Sequence, residues 1–495
     1  MTQADFNIAL APADTRKLLL LLTAPAAAAI ALVGAGLQIA PHGARAIPSF
    51  ARQTGQPCMA CHTDFPQLTP FGRRFKLGGY TLGGGKGLED GQPPIAAMVA
   101  PTFTHTARNQ DSPPTPQTHT NNNFIPQQFS LFYGGKIYGN LGAFVQGTFD
   151  YASQHSFLDN TDIRYADTTQ IGSHDLLYGV SVNNGPTVQD AWNTTPAWGY
   201  PFISSSLAPQ FSLPGAQIEG NFSGRSVGVT AYGMLNDIFF VEGGLYRGMS
   251  KGMQRGLGLP CSENQVWADY VTANSPFNSP ICASDSLRGF APYWRVAIEP
   301  VIGAHSFMIG VFGFHPQVAP GGAWGVGVDR YDDIGVDAQY QYIGDVHSLT
   351  WRMSHITERQ HLNATFWGLG GSFNPTNYLN SFKTSATYVW DHTIAATAGY
   401  FSVTGSADPT LYSLSNIGAP TGKGLQFELS YMPFNKGGPS VWPWANAKIG
   451  VQYTHYLKMY GGSTAFDYAF AMANGTPVHH AKDNDTLLLY TWFAF

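Results

Sequence analysis

From about residue 95 onward, short runs of alternating apolar and polar residues recur, separated by turns rich in Gly, Asn, Asp and Pro. In Leu425-Gln426-Phe427-Glu428-Leu429-Ser430-Tyr431 the odd positions are apolar and the even ones polar. Trp294, Val296 and Ile298 alternate with Arg295, Ala297 and Glu299. Ile449, Val451 and Tyr453 alternate with Lys448, Gly450 and Gln452. A strand sends successive side chains to opposite faces, so such runs build a sheet with one apolar and one polar face. A soluble sandwich alternates too. It would seldom sustain the pattern this long with only 12% charged residues, about half the usual share. Aromatic residues at 14% and 56 glycines suit a sheet with lipid on one side and a polar lumen on the other.

The expected fold is therefore all-β: a transmembrane antiparallel β-barrel over residues 95–495. Single-chain bacterial barrels have even strand numbers, and the candidate runs come to about sixteen. The clearer strands are Gln127–Ile137, Leu141–Tyr151, Ser226–Leu235, Tyr293–Val301, Tyr331–Ile343, Val346–Glu358, Ser381–Trp390, Thr393–Val403 and Trp444–Met459. The loop lengths do not alternate cleanly between short periplasmic turns and long outer loops, so at least one apparent strand, between Gln154 and Ser212, is spurious. Gly248 to Phe290 reads as a long outer loop. The chain ends Thr486-Leu487-Leu488-Leu489-Tyr490-Thr491-Trp492-Phe493-Ala494-Phe495. This apolar strand with a terminal Phe resembles the signal read by the outer-membrane assembly machinery. Left open it would be an aggregation-prone edge.

One long apolar run, Leu18 to Ala40, follows Arg16 and Lys17 and precedes Ala44-Arg45-Ala46. A positive start, an apolar middle and a small-residue site read as a signal peptide over 1–46, cleaved after Ala46. A retained membrane anchor is the alternative, since the run is long enough to span. The mean hydropathy of −0.11 argues against a helical membrane protein. A net charge of −5 without a basic patch argues against a nucleic-acid partner. In an exported chain Cys261 and Cys282 read as a disulfide stapling the long loop.

Cys58-Met59-Ala60-Cys61-His62 is the C-x-x-C-H attachment motif for a c-type haem. Two thiols add to the two vinyl groups of one porphyrin edge, and the following imidazole swings under the ring to bind iron. A structural zinc site needs four ligands, and no second close Cys or His pair stands nearby. A redox dithiol would sit in a βαβ setting, which Phe50 to Tyr80 does not resemble. We therefore assign one covalent haem c to Cys58 and Cys61, with His62 as the axial iron ligand. Met98 and His105 are the candidates for the sixth ligand. An open or water-bound iron is the third option. His119, His479 and His480 read as surface-loop histidines.

The haem segment, 47–94, is too short to build its own generous core, yet it carries Phe50, Phe65, Phe71, Phe75 and Tyr80. A barrel of about sixteen strands has a lumen wide enough to hold extra structure. Docking there as a plug would cover these rings. A small periplasmic cytochrome on a Gly83-Gly84-Gly85 tether is the alternative.

The stretch Pro48-Ser49-Phe50-Ala51-Arg52-Gln53-Thr54-Gly55, the C-x-x-C-H motif, and Phe65-Pro66-Gln67-Leu68-Thr69-Pro70-Phe71-Gly72-Arg73-Arg74-Phe75-Lys76-Leu77-Gly78-Gly79-Tyr80 resemble the fused outer-membrane monohaem cytochrome–porins. That family is best known for extracellular iron(II) oxidation. The close match runs from Ile47 to roughly Leu82, and the remainder agrees in length and texture alone. The resemblance implies a haem cytochrome plugging a sixteen-stranded porin in the cell outer membrane, with the barrel against lipid. It also implies an electron-transfer protein that takes electrons from an extracellular donor such as Fe(II) and hands them to a periplasmic electron carrier. Were it catalytic, it would be an iron(II) oxidoreductase. Glu299, Glu358 and Glu428 could face an iron donor, although acidic residues are ordinary in a polar lumen. A diffusion porin whose haem segment gates or senses is the second expectation, with Arg295, Arg352, Lys383 and Lys448 as lumen charges. A haem peroxidase or gas sensor with an open sixth position is the third.

Overall fold

The computed structural model describes residues 48–83, 91, 93–220, 222–257, 286–320, 325–438 and 444–495. The expected leader 1–46, Gly84 and Gly85 of the tether, and both Cys261 and Cys282 lie outside these described residues.

Sixteen long strands form the wall: β1 (Ile95–Thr106), β2 (Asn123–Tyr138), β3 (Leu141–Asp150), β4 (His155–Ile171), β5 (His174–Asn183), β6 (Ser226–Leu235), β7 (Phe239–Gly248), β8 (Ala291–Ile298), β9 (His305–Phe314), β10 (Asp329–Ile343), β11 (His347–His361), β12 (Thr376–Trp390), β13 (Ile394–Gly405), β14 (Gly422–Tyr431), β15 (Asn446–Lys458) and β16 (Thr486–Ala494). Each pairs antiparallel with its neighbours in sequence. The final strand closes on the first, from Met98 opposite Ala494 to Thr106 opposite Thr486. The apolar end strand therefore has no free edge. A short bridge of 286–287 with 317–319 adds to the rim.

The expected alternation holds in space. Val229, Val241, Val296, Ile309, Val336, Leu429 and Ile449 face outward, while Thr230, Glu242, Arg295, Gln339, Glu428 and Lys448 are buried inside. Exposed aromatic rings mark both ends of the apolar band: Tyr138, Phe239, Trp390 and Tyr431 at one, Phe124 and Tyr378 at the other. An apolar belt between aromatic girdles around a closed sheet is the dress of a barrel that spans the bacterial outer membrane. Turns of two or three residues join β2–β3, β4–β5, β6–β7, β10–β11 and β12–β13. Most longer loops gather at the opposite end, with β3–β4 the short exception there and β14–β15, residues 432–445, the long exception at the short-turn end. By the usual asymmetry of such barrels, the short-turn end is periplasmic and the long-loop end extracellular.

The ambiguous stretch after Gln154 resolves into β4, β5 and then a connection of residues 184–225. Its first residues, 184–195, are all buried, and Trp192 has no exposed surface. This connection fills the lumen. Farther along it, Ala216, Ile218 and Phe222 pack with Tyr246, Phe312 and Phe314 from the wall.

The outer loops are tied as well. Asp408, between β13 and β14, has no exposed surface and accepts bonds from Ser372 Oγ (2.5 Å), Phe373 N (2.9 Å), Asn377 Nδ2 (2.9 Å) and Leu411 N (2.9 Å). Burial opposes its charge, but these donors together outweigh it and hold the carboxyl well below the usual carboxylate range. A depressed carboxyl contributes stability that is full above its unfolded pKa, about 3.9, and lost as pH falls through the lower folded value. We expect the loops 362–375 and 406–421 to resist limited proteolysis unchanged from pH 7 to about 4. Resistance should fall only in stronger acid. Asp408→Ala should loosen them at neutral pH by ~2–4 kcal/mol, since several charged hydrogen bonds go together.

Candidate functional site

Residues 48–83 lie inside the barrel, toward the short-turn end. They form α1 (Pro48–Thr54), α2 (Cys58–Cys61) and α3 (Pro70–Leu77). Pro70 opens α3 with its φ already suited to a helix, and Thr69 caps it by accepting from Gly72 N at 3.1 Å. Thr69 also binds back to the motif, its N–H to Cys61 O (2.9 Å) and its hydroxyl to Ala60 O (2.6 Å). Gly72 is required there: a Cβ would stand 2.3 Å from Cys61 O. The T-P-F-G run thus locks the helix against the C-x-x-C-H turn.

Polar bonds run from this segment to strands around the whole wall. Tyr80 donates to Asp162 on β4 (2.6 Å), and Gln67 to Thr387 on β12 (3.0 Å). Asp64 pairs with Lys448 on β15 (2.8 Å), which also pairs with Glu428 on β14 (3.1 Å). Arg73, 1% exposed, pairs with Glu299 and donates to Gln339 (3.0 Å) and Gln341 (2.7 Å) on β10. Lys76 donates to Val188 O (2.9 Å) and Asp190 O (2.7 Å) of the lumen connection. Burial pushes its amine down to about 7. Gly142 on β3 lets the segment's backbone come close, since a Cβ would meet Gly79 O at 2.1 Å. Phe50 stacks on Tyr80 and Phe144, and Phe75 meets both Phe50 and Tyr80 edge-on. Docking thus covers Phe50, Phe75 and Tyr80 and turns Phe65 to the lumen side, but Phe71, expected to be covered too, stays 44% exposed.

Cys61 and His62 open onto a cavity of about 470 Å³. Its walls are Phe65, Phe75, Tyr80, Phe132, Phe144, Trp198, Phe202 and Trp492, with Lys76, Asn446 and Lys448 at the edge. Size and lining are those of a small-molecule or cofactor site. Cys58 is fully buried beside Asn446, whose Nδ2 lies 3.3 Å from the sulfur. Burial, with a smaller contribution from Cys58, pushes the Cys61 thiol up to about 12. Burial pushes the His62 imidazole down to about 4, against a weaker opposing influence of the Pro66 and Gln67 main chain. The ring is thus neutral, as iron ligation requires, and its Nδ1 is buried with no hydrogen-bond partner. A neutral imidazole and an adjacent thiol facing an aromatic cavity suit a covalent porphyrin.

The two sixth-ligand candidates separate. Met98 lines the same cavity. His105, seven residues further on the same strand, faces the opposite side of the wall and bonds to Asn122 at 2.8 Å. Strand parity removes His105 from the lumen, because an odd spacing reverses the face. His479 is another correction. It is 3% exposed, bonded to Asp467 (2.6 Å) and Asp111 (3.1 Å), and ties outer loops together.

The charged lumen residues are engaged in most cases. Arg295 pairs with Asp337 (2.5 Å) and Asp190 (3.4 Å), and Lys383 with Glu219 (2.6 Å). Arg352 is buried over the Phe202 ring, with none of its nitrogens hydrogen-bonded. Sequence reasoning missed the partners Asp64, Asp190 and Glu219, whose pairings span long sequence distances.

No protein-family model and no curated protein matches this chain. Among solved structures it is similar to the outer-membrane protein OmpT of Vibrio cholerae, with 10% identity, TM-score 0.38, and coverage of 81% of this chain and 96% of that one. It is similar to the outer-membrane channel DcaP of Acinetobacter baumannii, with 10% identity, TM-score 0.41, and coverage of 81% and 96%. It is also similar to Salmonella typhi OmpF in complex with daunomycin, with 12% identity, TM-score 0.40, and coverage of 81% and 97%.

Proposed function

We propose that this outer-membrane barrel is a one-electron relay built round a single covalent haem c in its lumen. The observation that carries the reading is one cavity between the plug and the barrel wall, lined at once by Cys61 and His62 of the plug and Met98 of β1, with Cys58 buried beside it rather than in its lining. Cys58 and Cys61 would attach the group, His62 would be its axial ligand, and Met98 is the side chain available as the second. When bound, the haem supplies reversible one-electron chemistry. The chain's own residues do the rest. Aromatic walls exclude water and insulate the site. Lys76 and Lys448 line it as well, Lys448 held by the carboxylates of Asp64 and Glu428. The plug bonds fix the cavity near the short-turn end, within reach of a periplasmic electron carrier. The donor is an extracellular reductant, Fe(II) first among them.

The test is rapid mixing of haem-loaded protein with Fe(II) across pH, following haem reduction by absorbance. Reduction at some pH is expected, and His62→Leu should abolish it while the barrel still assembles. Absence of reduction at every pH would remove iron as donor.

A second reading is a channel gated by the plug. It is favoured by a cavity of about 550 Å³ between the lumen connection and the wall, whose lining includes the charged Arg352, Lys383 and Glu219. Free conductance of the intact protein in planar bilayers would favour that reading. A closed baseline favours the relay.

A further inference from the structure

At the extracellular end, Asp333 on β10 and Glu358 on β11 stand directly opposite each other in the strand register. Both side chains face the lumen, with 0% and 1% of their surface exposed. Like charges directly opposed across two strands destabilise the pair, and burial without a counter-ion costs more. Neither carboxylate has a Lys, Arg or His partner among the described residues. The nearby cation Lys383 is occupied by Glu219.

The donors present are neutral. Gln217 N reaches Glu358 Oε2 (2.5 Å), Ile218 N reaches Asp333 Oδ2 (2.8 Å), and Gln360 Nε2 reaches Glu358 Oε1 (2.6 Å). Asp333 Oδ1 has no partner. Independently, the Gln360 carbonyl oxygen also has none, although this residue is only 6% exposed. Glu358 and Gln360 line a cavity of about 440 Å³ formed where five outer loops converge, with the oxygen-bearing Tyr331, Tyr412 and Thr365 beside them. Glu358 and the unpaired Gln360 carbonyl therefore face a space without a cationic side chain among the described residues, while Asp333, opposite Glu358 in the register, stands outside its lining.

We propose that Asp333, Glu358 and the Gln360 carbonyl form a site for an oxygen-preferring divalent cation at the extracellular mouth. Two carboxylates and an amide oxygen, completed by water, match the ligand habits of hard divalent ions. The site is independent of the haem reading, and binding is read without the cofactor. A proton shared between the two carboxylates is the competing way to relieve their repulsion.

The experiment uses the full chain folded in detergent micelles and titrated with Mn²⁺, with free ion followed by electron paramagnetic resonance. Wild type should hold one Mn²⁺ per chain, and Glu358→Gln and Asp333→Asn should each weaken binding at least tenfold. Asp332→Asn, on the outward face, should leave it unchanged. Retained heat-modifiable gel mobility checks that the variants fold. The wild type gives a second measurement: its thermal midpoint should rise with Mn²⁺ concentration, because a ligand of the folded state stabilises it by mass action. No saturable binding and no midpoint shift would overturn the site in favour of the shared proton. Equal binding by wild type and both variants would overturn the assignment to these residues.

Discussion

Replacing Arg73 with Met should lower the unfolding free energy by about 3–5 kcal/mol, because it leaves a buried carboxylate without its cation. Arg73 is 1% exposed and joins five acceptors: Leu68 O, Glu299, Ser306, Gln339 and Gln341. Without it, Glu299 keeps only neutral donors, Trp192 Nε1 at 2.7 Å and Ser306 Oγ at 2.9 Å. Lysine should not restore the pairing, since a point charge cannot copy a planar fork serving several acceptors. Adding Glu299→Gln to Arg73→Met should recover a large part of the loss, because the orphaned charge is then gone. Denaturant midpoints of wild type, Arg73→Met, Glu299→Gln and the double variant form the cycle that measures the coupling. The same single variant should raise bilayer conductance, as the plug loses its hold on β10. A midpoint unchanged within experimental error would show that the pair does not anchor the plug.

The second large effect concerns the cofactor. Cys58→Ala with Cys61→Ala should eliminate haem that survives denaturation, read as total loss of haem stain in denaturing gels. The barrel should still fold and show heat-modifiable mobility, since both sulfurs lie in the plug and the bonds of Asp64, Arg73 and Tyr80 to the wall remain. Cys61→Ala alone should leave at most a single thioether. Loss of the barrel together with the stain would mean that wall and plug fold as one unit. Stain persisting in the double variant would end the covalent assignment.

Much of the wall was legible because lipid and lumen impose opposite demands at a period of two. Ser226–Leu235 was read to the residue, and most others within a few residues of their ends. The connection of 184–225 was not legible, for a physical reason. A polar lumen selects the same Gly, Pro, Asn and Thr that an outer loop carries, so composition cannot distinguish inside from outside. The motif Cys58 to His62 was plain from spacing. The choice between Met98 and His105 was open until the strand was fixed. Once both sit on β1, their odd separation leaves only Met98 on the lumen face. The ionic anchors Arg73–Glu299 and Lys448–Asp64 join residues hundreds of positions apart, and no local pattern announces such pairs. His479 was misjudged because its partners Asp111 and Asp467 meet it only in the folded loops.

The bonds from the plug to β4, β10, β12 and β15 carry a temporal implication. A body moored on all sides of a ring cannot be threaded in once the ring is shut. Seam formation between the first and last strands must therefore follow, or coincide with, the docking of residues 48–83. Any group attached to Cys58, which has no exposed surface once the segment is seated, would likewise have to be added before docking.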